Sequence, residues 1–214
     1  MAISVRENAL DNSRLDILQA AAKCFMERGY AAASIDEVAR SLGATKGRIY
    51  HHYPSKSDLF ADVFRVGMEM NFEAIEPLRR LDGPALPRWC EMAQAHVIQM
   101  ITTRAFQRAV WIGVEMHLRG ATTPEQRDVF EDLIGLRTQY GNYFRETIAA
   151  ARDEGAMRFD DLSIANQLMF MTLNSPIFWY RQRIGETRAE IEDLAGQVVA
   201  FALGGLGGNQ EATR

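Results

Sequence analysis

The chain has 214 residues, 47% of them apolar and 24% charged, an ordinary globular balance that excludes a disordered or collagen-like chain and leaves enough length for a sizeable buried core. Its net charge of −4 excludes a polyanion binder that works through its whole surface, so a nucleic-acid site must be local. No apolar run reaches the ~20 residues that span a bilayer and no charged-then-apolar leader opens the chain, so a cytoplasmic protein with no membrane partner is expected.

Helix signals recur from end to end and strand signals do not, which predicts an all-α chain of about nine helices. Ser13-x-x-Asp16, Ser34-x-x-Glu37, Ser55-x-x-Asp58, Thr123-x-x-Gln126 and Thr187-x-x-Glu190 all have the form of a capping box, whose first side chain accepts from an orphan amide while the fourth reaches back. In the Thr123 case Pro124 also stands at the first helical position, where its missing N–H costs nothing.

The first helix is predicted over 14–28, with Ile17, Leu18, Ala21, Ala22 and Phe25 as its apolar stripe and Gly29 as its stop. A second runs from Ser34 to Leu42, burying Ile35, Val38, Ala39 and Leu42, and ends at Gly43. A very short third helix begins at Thr45 and ends by Tyr53, because Pro54 disfavours helical geometry in the residue before it. Two short helices joined by a glycine turn form a helix-turn-helix pattern. A long helix follows from Ser55 to about Leu81, then LDGPALP, then apolar-rich segments at roughly 85–103, 105–119, 124–154, 162–183 and 188–203. The expected organisation is an N-terminal module over 1–56, a helical body over 57–208 and a tail over 209–214. Cys24 and Cys90 lack the spacing of a metal or redox pair and read as buried free thiols.

The stretch TKGRIYHHYPSK, 45–56, concentrates cationic and imidazole groups in an acidic chain. Between Arg40 and Lys56 stand four positive charges, Arg40, Lys46, Arg48 and Lys56, and no carboxylate. On a helix from Thr45, Ile49 and Tyr53 turn inward while Thr45, Lys46, Gly47, Arg48, Tyr50, His51 and His52 can face a partner. These side chains suit a DNA groove: cations for phosphates or guanine edges, a hydroxyl and imidazoles for polar edges, and Gly47 where backbone approaches closely. Arg40 and Lys56 flank the helix as expected phosphate contacts, as do the amides around Ser34.

The segment SIDEVARSLGATKGRIYHHYPSKSDLF, with Phe25 and Gly29 upstream, resembles the DNA-binding domain of the TetR family of bacterial transcriptional regulators, from about Ser13 to Val66. The resemblance implies a homodimer that places its third helices in successive major grooves of a near-palindromic, double-stranded operator, with half-sites ~34–36 Å apart. It implies groove contacts from Thr45, Lys46 and Gly47, backbone contacts from Tyr50 and His52, and a phosphate contact from Lys56. Arg48 and His51 fall where the family varies, so they are the candidates for sequence readout. Tyr53 stands where phenylalanine is commoner, a small change if its hydroxyl reaches solvent.

For the body, the resemblance implies a small-molecule site and a dimer interface from the last two helices. The apolar segment from Ala165, broken at Pro176, and 188–203 with Ile191, Leu194, Val198, Phe201 and Ala202 are the expected interface. Aromatic and thioether bulk with polar handles is supplied by Trp89, Met92, His96, Met100, Trp111, Glu115, Tyr140, Tyr143, Phe144, Phe170, Asn174 and Trp179. Phe178, Trp179, Tyr180, Arg181 and Arg183 could together hold a large anion, resembling family regulators that respond to acyl-CoA thioesters; interface arginines would give the same pattern. A hydrophobic acid or its CoA ester is the expected effector class.

The expected function is a repressor released by such an effector. An activator or a regulator without ligand would carry the same first 56 residues. A helical enzyme is the remote alternative, and no metal site or cofactor is expected: His96 and His117 form no i, i+4 pair, GATKGR is not a phosphate loop, and GGLGG at 204–208 follows the last helix as its stop.

Overall fold

The computed structural model describes residues 2–120 and 124–208, with side chains from 13 to 120 and from 129 to 208. The Thr123 capping box and the tail 209–214 lie outside the described residues. Among the described residues ten helices follow in order: α1 (Ala2–Ala32), α2 (Ile35–Ser41), α3 (Lys46–His52), α4 (Lys56–Arg79), α5 (Ala85–Thr102), α6 (Arg104–Leu118), α7 (Pro124–Asp153), α8 (Leu162–Leu173), α9 (Pro176–Trp179) and α10 (Arg188–Gly205). The class is all-α, with no strand among the described residues. One helix more than expected arises because the 162–183 segment divides: Asn174 closes α8 and Pro176 opens α9, a single turn.

Local signals explain most element ends. The regular part of α1 stops at Gly29, whose φ of 73° and ψ of 166° suit glycine alone without strain. Ser34 caps α2 in a full capping box with Glu37, and Thr187 caps α10 likewise with Glu190. Ser55 accepts from the Asp58 amide at 3.1 Å. The Ser13 box fails: α1 starts upstream at Ala2, since no proline or glycine interrupts 2–13, and Ser13 sits mid-helix. Leu42, the α2 cap, is half-buried rather than buried, and so is Cys90.

The chain divides into two compact units, one of residues 1–68 and 105–134, the other of 69–104 and 135–214. The expected boundary at 56/57 is therefore not where packing divides. In the first unit, α4 and α6 pack too closely for side chains between them. A Cβ on Gly113 would lie 2.7 Å from two ring carbons of Phe64, and one on Gly67 would lie 2.9 Å from Val110 Cγ2. The buried Gln107 amide donates to the Gly67 carbonyl at 3.2 Å. Phe60 joins α1 and α7 to this core through edge contact with Phe25 at 5.0 Å and stacking on Phe130 at 6.0 Å.

In the second unit α10 packs on α5 and α8. Trp89 is fully buried and its indole N–H points at Met169 Sδ, 3.2 Å away. Pro84 cannot cap α5 with a side chain, so the Glu154 carboxylate accepts from the Ala85 amide at 2.8 Å. The segment after α9 is held by Glu186, which accepts from Tyr180 Oη and from Arg183 Nη2, the latter at 3.0 Å.

Gly113→Ala is expected to destabilise by about 1–3 kcal/mol, because the Phe64 ring is sealed in the core and cannot yield. Gly135 on α7 has open space around it, and Gly135→Ala is expected to stabilise by about 0.5–1 kcal/mol through helix propensity. Thermal melts of both variants check the opposite signs.

Candidate nucleic-acid interface and effector site

α3 places Thr45, Lys46, Gly47, Arg48, Tyr50 and His51 at the surface, with Ile49 fully buried beneath them. His52 is half-buried, and its Nε2 lies 3.5 Å from Ser13 Oγ. Burial first, then the charges of His51, Arg48 and Arg14, lower its pKa.

The local positive field is answered from outside the stretch. Lys46 pairs with Asp36 on α2 at 2.5 Å. The Arg48 guanidinium donates to Ser13 Oγ at 3.1 and 3.3 Å and lies 3.9 Å from the Asp16 carboxylate. Ser13 and Asp16, read in sequence as a helix cap, instead hold the residue expected to read bases. Arg40 is exposed and, among the described residues, makes no ion pair.

Two expected phosphate contacts are engaged otherwise. The Ser34 amide donates to the Glu37 carboxylate at 3.2 Å, so this helix start already carries its anion. The Lys56 ammonium donates to the carbonyls of Tyr30, Ala31 and Ala33 at 2.9, 3.3 and 3.0 Å, and lies 4.6 Å from the Tyr30 ring centre. The break at Gly29 leaves these carbonyls without helical donors, and the negative end of α1 attracts a cation.

Tyr53 also departs from expectation: its hydroxyl is buried, not solvated. It donates to Asp62 Oδ2 at 2.7 Å and accepts from Arg14 Nε at 3.3 Å. Arg14 meets both Asp62 oxygens, at 2.7 and 2.9 Å, and Arg65 Nη1 adds a third cationic contact at 3.1 Å. Burial opposes ionisation of Asp62, yet the hydrogen bonds from Tyr53 and Arg14 and the charges of Arg14 and Arg65 hold its pKa below the usual value. Burial and the Asp62 hydrogen bond push Tyr53 to about 12.

In the second unit the expected effector residues separate into groups. His96, Tyr140, Phe144, Phe170 and Asn174 come together. His96 Nδ1 is 2.8 Å from Tyr140 Oη and Nε2 is 3.0 Å from Asn174 Oδ1, a pattern that suits the Nε2–H tautomer with the tyrosine donating. Burial, with a smaller contribution from the Arg137 charge, lowers His96 to about 4 against the Asn174 hydrogen bond; it is neutral. Phe144 and Phe170 pack on its ring at 5.8 and 5.7 Å, and Phe72 meets Tyr140 edge-on at 5.3 Å and Tyr143 at 6.0 Å.

Trp89, Met92 and Met100 are buried core positions of this unit. Trp111 and Glu115 are half-buried on α6, in the first unit. Trp179 and Arg181 are exposed, and Arg183 is neutralised by Glu186 and Glu190, so 178–183 does not form the expected anion clamp. Sequence reasoning did not single out Phe72, which packs on this cluster, or Arg137, whose charge acts on His96. The latter lies one turn before Tyr140 on α7, and as a lone arginine in a helical pattern it gave no signal.

The outer face of α8 and α10 exposes Ile164, Leu168, Met171 and Phe201. A groove of about 470 Å³ runs there, lined by Ile164, Leu168, Thr172, Phe201 and their neighbours. Ile191, Leu194 and Val198 are half-buried, and Ala202 turns into the core.

Residues 17–63 match the family model for bacterial regulatory proteins of the tetR family, and residues 85–206 match that for the tetracyclin repressor-like C-terminal domain. The chain belongs to the TetR family. The HTH-type transcriptional repressor AcnR of Corynebacterium efficiens is 39% identical over 156 residues, 70% of this chain and 71% of that protein. AcnR of Corynebacterium glutamicum is 29% identical over 108 residues, 47% of this chain and 57% of that protein. The crystal structure of AibR in complex with isovaleryl coenzyme A and operator DNA superposes with a TM-score of 0.68 at 22% identity, covering 88% of this chain and 97% of that one. Among the described residues of this TetR-family chain, no helix is long and apolar enough to cross a membrane.

Asp62→Asn is expected to cost about 1–3 kcal/mol, the price of a lost charged hydrogen-bond set. Because folding lowers the Asp62 pKa, its contribution is complete above the unfolded value near 3.8 and fades as pH falls towards the folded one. Denaturant titrations should therefore show the two proteins converging in acid. Lys56→Met is expected to lower the melting temperature while leaving the salt slope of DNA binding unchanged; a slope flatter by about one would place the ammonium on a phosphate.

Proposed function

We propose that this TetR-family chain is a transcriptional repressor that binds a near-palindromic operator as a homodimer and leaves it when a small apolar acid, or its coenzyme A thioester, binds the second unit. The observation that carries the reading is the outer face of α3. Thr45, Lys46, Gly47, Arg48, Tyr50 and His51 all face solvent from one short helix that follows a capped helix and a glycine turn with φ of 61° at Gly43. No core contact requires those side chains, and their chemistry suits phosphates and base edges.

Dimerisation through α8 and α10 accounts for their exposed apolar side chains: burying Phe201, 76% exposed, together with Ile164 and Leu168 needs a second apolar surface. The effector site is best placed at His96, Tyr140 and Asn174 among Phe144 and Phe170, a few fixed polar groups within aromatic walls. AibR, of the same fold, binds isovaleryl coenzyme A and operator DNA; the relatives named AcnR are repressors. An effector shifts the operator equilibrium only by its difference in affinity for the two states.

Arg48 is assigned to base readout, with Ser13 and Asp16 holding its guanidinium before DNA arrives. Selection of bound DNA from genomic fragments, followed by gel shift, tests the whole reading: a palindromic site should emerge, and reporter output should rise in a strain lacking the protein. On that site Arg48→Ala is expected to lose preference at one base pair per half-site, by about 1–3 kcal/mol. A loss equal on all sequences would move Arg48 to the phosphates, and a fall in reporter output would make the protein an activator.

A further inference from the structure

Arg137 is the unusual charge of the second unit. It lies on α7 one turn before Tyr140 and Gly141 and two turns before Phe144, on the face that Phe170 approaches at Gly141, 3.8 Å from where a Cβ would stand. It is half-buried, and among the described residues it makes no ion pair and no hydrogen bond. Other arginines of this unit are paired: Arg79 and Arg80 with Glu76, and Arg183 with Glu186. Burial is the sole influence on its pKa, which falls, and its charge is felt at His96.

A guanidinium taken out of water without a counter-charge is held at a cost, and proteins pair such groups. Two amide oxygens on helices of this unit also lack a donor. The amide oxygens of Gln99, one turn after His96, and of Asn166, one turn before Phe170, are buried without a donor. The aromatic side chains supply apolar surface, and among the described residues no carboxylate answers Arg137.

We infer that Arg137 is the anion receptor of the effector site, so that the effector carries a carboxylate or phosphate on the guanidinium and lays an apolar body against Tyr140, Phe144 and Phe170. This rests on the effector site proposed above and specifies its ligand chemistry: a neutral lipid, sterol or aromatic of the same shape is not the effector. His96, neutral and held by Tyr140 and Asn174, orients the wall and takes no anion itself. The two arms of a forked guanidinium accept a carboxylate or a phosphate equally, so the source of the anion is left to the probes.

The full chain is tested by thermal shift and titration with two pairs of probes, octanoate with octanamide and octanoyl coenzyme A with octanoyl-N-acetylcysteamine. The anion of at least one pair is expected to raise the melting temperature and its neutral partner not to. Response to octanoate assigns a carboxylate, and response to the coenzyme A ester alone assigns phosphates. Arg137→Met should bind the active anion at least about tenfold more weakly, Arg137→Lys should retain part of the preference for it, and the melting temperature of unliganded Arg137→Met should stay level or rise, since an uncompensated charge is gone. Equal shifts from charged and neutral partners, no shift from either anion, or a destabilised Arg137→Met protein that binds the anion as before overturns the assignment. Operator binding by the wild-type chain is measured alongside: its absence refutes the repressor reading, whereas its presence with no discrimination between probes refutes only the role of Arg137.

Discussion

A carboxylate placed in a protein interior must be paired, and the pairing of Asp62 fixes the geometry on which the first unit depends. Its oxygens are shared among Arg14 of α1, Tyr53 at the exit of α3 and Arg65 one turn along α4. Three elements distant in sequence are thereby tied at one point. The short helix α3 has only Ile49 as a buried anchor of its own, so its orientation depends on what holds its ends. At the far end Tyr53 is hydrogen-bonded into this network, and at the near end Gly43 sets the turn. A phenylalanine at 53 would fill the same space without the donor, and Asp62 would lose one of the bonds that keep it ionised.

The cations of the reading helix are held by partners rather than left loose. Lys46 rests on Asp36, Arg48 on Ser13 and Asp16, and Lys56 on three carbonyls of the α1 terminus. These partners differ in consequence. The ion pairs of Lys46 and Arg48 are exposed, and such pairs are worth at most about 1 kcal/mol, little enough for phosphates or guanine edges to replace. The Lys56 ammonium spends its donors on backbone that has no alternative, which makes it part of the scaffold. In the proposed readout role, Arg48 of α3 has its fork preset by Ser13 and Asp16 of α1 and would lose less rotamer freedom on reaching a base than a free surface arginine.

The fold was legible where the signal is local. Capping boxes at Ser34, Ser55 and Thr187 each stand at a helix start, and Gly29 and Gly43 stand at stops, because a cap depends on residues a few positions apart. Ser13 shows the limit: the same pattern inside a continuing helix caps nothing, and its partners, Arg48 and His52, are 35 and 39 positions away. The partition into units was illegible for the same reason, since it depends on Gly67 and Gly113 admitting a close approach that no periodicity encodes. Among the residues expected at an effector site, bulk and polarity drew in His96, Tyr140, Phe144, Phe170 and Asn174, which the fold brings together. The same criterion also drew in Trp179 and Arg181, which composition cannot distinguish from inward-facing groups.

Arg137 marks the difference between satisfied and unsatisfied burial. His96, Tyr140 and Asn174 are polar groups inside an aromatic cluster, yet each has a partner, so the protein gains rigidity from them and loses little by leaving them dry. Arg137 stands beside them with its charge unanswered. In the free protein that charge weakens the state that buries it, and an anion that reaches it stabilises that state selectively. Tight binding alone would shift nothing between operator-bound and released forms; a difference in how each form exposes this guanidinium would. On the proposed effector reading, a half-buried cation without a counter-charge gives the binding of a small acid a preference for one conformation, while the hydrogen bonds of His96 to Tyr140 and Asn174 hold the aromatic side chains in place.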